Sequence, residues 1–226
     1  MLQAQLLAED LTKTHSYASQ QDIDAAIVAA KFAHQLTDEI LTLVRPGVRE
    51  SEIKTEAEKV FAARGIDRIW HQPYIRFGSN SLLTFQNKAK TDRILEAEDI
   101  AFIDIGVVKG GVEGDAGRTI AFGENKTLHD LAKASETIFK ETAAYWKQHN
   151  PTGAALYEYT HRIAEKLGVI FNLDPAGHLI GAFPHRGWKR GLNHFPEQII
   201  GGTWILEIQI RHPELPLGAF YEDLLY

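Results

Sequence analysis

Apolar residues recur at three- and four-residue steps from position 21 to 43, at Ile23, Ala26, Ile27, Ala30, Ala33, Leu36, Ile40 and Leu43, which predicts an amphipathic helix. The pattern stops at Arg45-Pro46-Gly47. Ser51, followed by Ile53, Ala57, Val60 and Phe61, opens a second helical pattern that closes at Gly65. The texture then changes to short β-type runs over 69–77, 81–85, 100–108 and 112–122, divided by Gly78-Ser79-Asn80 and Lys109-Gly110-Gly111. Helical spacing returns over 127–149 and, after Asn150-Pro151-Thr152-Gly153, over 154–167, and the remainder reads as short strands and loops. Helices, strands, helices, strands, with no Ser/Gly/Pro linker at the midpoint, imply an α+β domain of two similar halves spanning 1–226. Positions 1–20 read as an N-terminal extension, and residue-by-residue similarity between the halves is too weak to make a repeat.

Composition narrows the chemistry. A formal charge of -6, a pI near 5.9 and the lack of any Lys/Arg-rich run argue against a nucleic-acid surface. No apolar stretch approaches the ~18 residues needed to cross a bilayer, so a cytoplasmic location is the default expectation and no membrane partner is expected. With 0 cysteines, neither a thiol nucleophile nor a thiolate metal site is possible. Any metal must be held by oxygen and imidazole, donors that suit Mn, Co, Fe(II) or Zn, and 10 histidines with 30 carboxylates supply them.

The most informative stretch runs from Ile100 through the Lys109-Gly110-Gly111 turn to Ile120 and reads as a β-hairpin carrying Asp104 and Asp115. A Lys109-Gly110 loop would set the two aspartates directly opposite, with Cβ atoms ~5 Å apart; a Gly110-Gly111 loop would leave them diagonal. Two carboxylates on one face of so apolar a hairpin repel each other and resist burial, and a cation would relieve both costs. The hairpin alone equally allows ordinary turn chemistry at Asp115 and a salt bridge from Asp104 to Arg118 or Lys109.

The aspartate pair, preceded by a helix, the Pro46-Gly47 turn and a second helix, resembles the paired metal aspartates of the methionine aminopeptidase, prolidase and creatinase superfamily. The resemblance implies the pita-bread fold, two pseudo-symmetric halves of helices packed on a curved antiparallel sheet. It extends to Pro175-Ala176-Gly177-His178-Leu179-Ile180-Gly181, which is similar to the family's Gly-His-x-x-Gly segment, and to the acidic residues in the apolar runs around Glu207 and Glu222. Taken singly, His178 could be an ordinary loop histidine, and the two glutamates could point outward from edge strands. By resemblance, Asp104 holds one divalent metal, His178 and Glu207 the other, and Asp115 and Glu222 bridge them. Glu207 would also shuttle a proton, and His185, seven residues after His178, would contact the substrate and help stabilise the tetrahedral intermediate. Two such ions supply a hydroxide at neutral pH and polarise the scissile carbonyl. His71 and His194 carry no motif and read as solvated or core histidines.

The pattern also departs from the family. Phe85 stands where a substrate-binding histidine is expected, so either another histidine such as His71 replaces it or the substrate lacks the group it would grip. Glu207-Ile208-Gln209 replaces the usual Glu-Pro-Gly, Phe220 replaces an arginine, and the N-terminal domain of prolidases is not expected. The resemblance implies a dinuclear metal-dependent hydrolase, a small aminopeptidase or Xaa-Pro dipeptidase acting on small peptides, and is compatible with a homodimer. A same-fold enzyme for a non-peptide small molecule, or a binding module that has lost the chemistry, are the alternatives.

Overall fold

Helix α1 (Gln20–Leu41) begins at Ser19, whose hydroxyl accepts from the Asp22 N–H while the Asp22 carboxylate accepts from the Ser19 N–H. That reciprocal cap satisfies donors left open at a helix start. Helix α2 (Glu50–Arg64) ends on Gly65 at φ 62, a left-handed position natural to glycine. A computed structural model describes residues 19–185 and 187–226; the extension expected over 1–20 falls outside it as far as residue 18.

The strands are β1 (Arg68–Phe77), β2 (Asp99–Lys109), β3 (Val112–Phe122), β4 (Ile170–Asn172), β5 (Ile205–Arg211) and β6 (Gly218–Leu224). Between β3 and β4 lie α3 (Lys126–His149) and α4 (Gly153–Lys166). Each half therefore reads helix, helix, strand, strand, strand. All described strands join a 6-stranded sheet in the order β1-β2-β3-β6-β5-β4, antiparallel throughout. The halves meet where β3 lies beside β6, through Gly117 opposite Glu222 and a Thr119 hydroxyl that bonds both backbone groups of Phe220.

Strand alternation sorts the side chains. Ala101, Ile103, Ile105 and Val107 of β2 and Ala116 of β3 pack against Leu36 and Ile40 of α1 and Phe61 of α2. In the second half Leu206, Ile208 and Ile210 of β5 and Tyr221 of β6 join Ile138 of α3 and Leu156 of α4. Burying each such side chain contributes about 1.5–3 kcal/mol. The helices thus cover one face, and the residues between, including Asp104, Asp115, Glu207 and Glu222, turn to the other.

One expectation needs correction, and one open choice is decided. Residues 81–85 are not a strand: Gly78–Leu82 winds into a 3-10 turn. Asn80 there donates to the buried Glu50 carboxylate and to Thr91 O, and the Ser81 hydroxyl bridges Gly78 O and Gly218 N. Those anchors outweigh the β propensity of the run. In the hairpin Lys109 faces Val112, so the loop is Gly110-Gly111, at φ 61 and 75. Asp104 therefore faces Gly117 and Asp115 faces Gly106, and the aspartates are diagonal neighbours on one face rather than directly opposed.

Candidate metal centre

Glu207 and Glu222 are direct cross-strand partners on β5 and β6, 8% and 2% exposed. Both strands are interior to the sheet, so neither glutamate points outward from an edge. Asp104 and Asp115 approach from β2 and β3 on the same face. The alternative salt bridges of Asp104 do not occur. Arg118, three residues from Asp115, turns to the helix face and meets Asp38, His34 and Tyr221, while Lys109 donates to Gly65 O.

His178 enters from the loop after β4. Its Nε2 lies 3.3 Å from Asp115 Oδ2, 3.5 Å from Glu222 Oε1 and 3.7 Å from Glu207 Oε1. The five residues singled out by sequence therefore face one small volume. His71, read from the sequence as a solvated or core histidine, stands in it too, with Nε2 3.3 Å from Asp115 Oδ1 and 3.5 Å from Asp104 Oδ1. The reason is a register shift in β1 on either side of His71, which sets it opposite Gly106 and on the aspartates' face. A Cβ on Gly106 would come 2.2 Å from the His71 ring and 3.0 Å from Trp70, so only glycine leaves room for that approach.

Burial and mutual repulsion disturb the acids. Burial lifts Asp104 to about 7 despite the pull of His71. It lifts Glu207 to about 8, opposed by His178 and reinforced by Asp104 and Asp115. Glu222 is pushed well up by burial, then by Asp115 and Glu207. Asp115 goes the other way, because His71 and His178 overcome its burial. Burial likewise opposes charge on the histidines, yet the carboxylates raise His71 to about 10 and His178 to about 9. Without cations Asp104, Glu207 and Glu222 gather protons, while Asp115 keeps its charge between the two histidines.

The donors fit divalent cations. His71, Asp104 and Asp115, and separately Asp115, His178 and Glu222, each bring three ligand atoms within 4.8 Å of one another. Asp104 Oδ1 is buried without a hydrogen-bond partner, a costly state that a cation relieves. All the donors are oxygen or imidazole nitrogen, the set that binds Mn, Fe, Co or Zn.

The donors open into a cavity of about 670 Å³, lined also by Trp70, Tyr74, Phe85, His185 and Trp188. His185 is held by Glu113, whose carboxylate accepts from Nδ1 at 2.6 Å and from the His185 and Gly181 backbone N–H groups. Sequence reading passed over Glu113, although its place two residues before Asp115 puts it on the same strand face. Phe85 is 54% exposed on the cavity wall, so an aromatic surface stands in the wall where a histidine was expected. Phe220 is buried against Phe102 over Gly117, which leaves no room there for a solvated arginine. Gln209, in place of the family glycine, ties Leu83 O to Asn172. His194 is exposed at the cavity rim, in keeping with the solvated reading.

Residues 24–225 match the model of metallopeptidase family M24. The chain belongs to the M24 family. The M24 relatives include an uncharacterized peptidase, YqhT, of Bacillus subtilis, 28% identical over 118 residues that make up 52% of this chain and 33% of that protein. The prolidase of Pyrococcus horikoshii superposes with a TM-score of 0.74 at 21% identity, covering 91% of this chain and 59% of its own. The X-Pro aminopeptidase of Thermotoga maritima superposes with a TM-score of 0.75 at 18% identity, covering 95% and 60%. This chain thus has the pita-bread M24 fold and spans less than two thirds of each of these relatives. Among the described residues no helix is long and apolar enough to cross a membrane.

Proposed function

We propose that this chain is a dinuclear-metal-dependent peptidase of small peptides, with Asp104, Asp115, His178, Glu207 and Glu222 holding two divalent ions and His185 and Glu207 assisting catalysis. The carrying observation is the meeting of ligand atoms of Asp115, His178 and Glu222 within 4.8 Å of one another, beside Asp104 with its orphaned oxygen. Bound ions of this kind acidify water towards neutral pH and polarise a carbonyl.

The chain's own groups supply the rest. Glu207, buried beside His178 on the donor face, would take up and return the proton that departure of an amide nitrogen requires. Glu113 ties down Nδ1 of His185, so Nε2 is left for the substrate. Trp70, Tyr74 and Trp188 wall the cavity with apolar surface that fits a short peptide side chain or a proline ring. The likeness to a prolidase and an X-Pro aminopeptidase supports reading the specificity as that of an aminopeptidase or Xaa-Pro dipeptidase.

The test is to strip the protein with chelator, restore Mn, Co or Zn, and assay aminoacyl substrates and Xaa-Pro dipeptides. Cleavage that vanishes on stripping and returns with metal is the expected result. Two bound ions without cleavage of any peptide would reject the peptidase reading and favour a non-peptide substrate, for which Phe85 on the cavity wall is the supporting observation.

A further inference from the structure

Resting on that dinuclear reading, we propose that His71 is a sixth metal donor, which gives each ion its own histidine: His71 on the Asp104 side and His178 on the Glu207 side. The two rings are placed alike. Each sets Nδ1 against the carbonyl of the next residue, Gln72 O at 3.0 Å for His71 and Leu179 O at 3.1 Å for His178. With Nδ1–H donated to a carbonyl, Nε2 is the nitrogen that can give up its proton and offer a lone pair to a metal. Each Nε2 then stands 3.3 Å from a different oxygen of Asp115.

A lone pair aimed at carboxylate oxygens is repulsive unless a proton or a cation lies between them. The sequence goes to some length to aim it there: β1 breaks register on both sides of His71, and Gly106 clears a space that any side chain would fill. The pairing also follows the repeated order of elements. His71 belongs to the first strand of its half, and His178 follows the first strand of the other. Asp104 and Glu207 sit on the second strands, Asp115 and Glu222 on the third.

Cobalt(II) loaded into the stripped full chain provides the test, read by proton NMR, by elemental analysis and by calorimetric titration. Wild type should take up two ions and show two strongly shifted, exchangeable imidazole N–H resonances, one from each ligating ring. His71→Ala should lose one of them and bind one ion at least ~100-fold more weakly; His178→Ala should lose the other resonance. Two bound ions with a single shifted resonance in wild type would overturn the proposal while leaving the dinuclear reading intact, and that readout needs no variant to fold. Unchanged cobalt affinity in His71→Ala with a raised KM would also overturn it, in favour of a substrate contact replacing the one lost at Phe85. No cobalt uptake by wild type would overturn both readings at once.

Discussion

The two halves of the sheet carry matching donors on unlike scaffolds. In the first half β2 and β3 pair without a break from Asp99 opposite Phe122 to Lys109 opposite Val112, and a two-glycine turn closes them. Its donors are strand residues throughout. In the second half β5 and β6 pair as regularly, but β4 is 3 residues long. The irregular stretch 173–204 carries His178, His185 and Trp188. Paired strands in both halves thus fix the carboxylates, while a loop supplies one histidine and much of the cavity wall. That division suits a site whose cation geometry must be held closely and whose substrate wall can vary.

Asp115 is where the halves share a ligand, since one oxygen faces the histidine of each half. Asp115→Ala therefore gives the largest expected effect: both ions bind at least ~100-fold more weakly and activity is lost. Elemental analysis after dialysis checks this. Retention of one ion at wild-type affinity would show that Asp115 does not bridge.

Next in size is a pair of glycine substitutions, one aimed at each half. An added Cβ at Gly106 meets the His71 ring, and one at Gly117 meets the Phe220 ring at 2.3 Å and Glu222 Cβ at 3.1 Å. Overpacking of this kind costs about 1–3 kcal/mol, measurable by urea unfolding. The metal effects should separate: Gly106→Ala weakens chiefly the ion beside His71, whereas Gly117→Ala, which crowds the bridging Glu222, weakens both. Identical metal losses in both variants would mean that the halves do not act separately.

The same contrast governs what the sequence discloses. Helix spacing and the apolar runs of β2 and β3 locate those elements, because local pattern and tertiary packing agree there. Alternation puts Asp104 and Asp115 on one face, but the Lys109-Gly110-Gly111 turn leaves the register open, and the aspartates prove diagonal. Residues 81–85 have a strand's composition and no strand, because Glu50, 30 residues away from Asn80, anchors the turn. His71 is invisible for a similar reason: a shift in pairing, which no local spacing records, brings it to the site. Glu113 was within reach, two residues from Asp115 on a strand already recognised. His178 was found only through its motif, since a loop histidine between glycines has no pattern of its own.

Removing the ions exposes a third difference, smaller and dependent on pH. In the stripped protein Asp104 rises from 3.8 to about 7 and Glu207 from 4.5 to about 8. His178 rises from 6.5 to about 9 and His71 from 6.5 to about 10. Each raised group binds its proton more tightly folded than unfolded. Its contribution is complete below the unfolded value and is lost as pH climbs through the folded one. The stripped protein should therefore become less stable from about pH 4 to pH 10. Asp115, held low, works in the opposite sense, and only at acid pH below 3.8. Calorimetry should give a lower Tm at pH 9 than at pH 6 without metal. With metal the loss should flatten or reverse, because ligands must shed protons to bind ions. A stripped protein whose Tm rises from pH 6 to pH 9 would contradict the proton-holding site.

The smallest expected effect lies where the halves touch across the cavity rather than beneath it. Gln86, in the loop that follows the 3-10 turn, donates to both carboxylate oxygens of Asp174 at 3.1 Å, and Asp174 belongs to the cavity wall. Both residues are exposed, so the contact competes with water, and its loss should cost no more than about 0.5 kcal/mol. In a chain of 226 residues that is about 1–2 °C in Tm. The bond restrains the start of the 173–204 stretch, not the donors on the strands. Gln86→Ala should therefore leave metal affinity and kcat unchanged and raise KM by roughly 2-fold, the size of effect a sub-kilocalorie change in wall position produces. A fall in metal affinity would mean that the loop also positions the ions, and that the paired strands do not fix the charges by themselves.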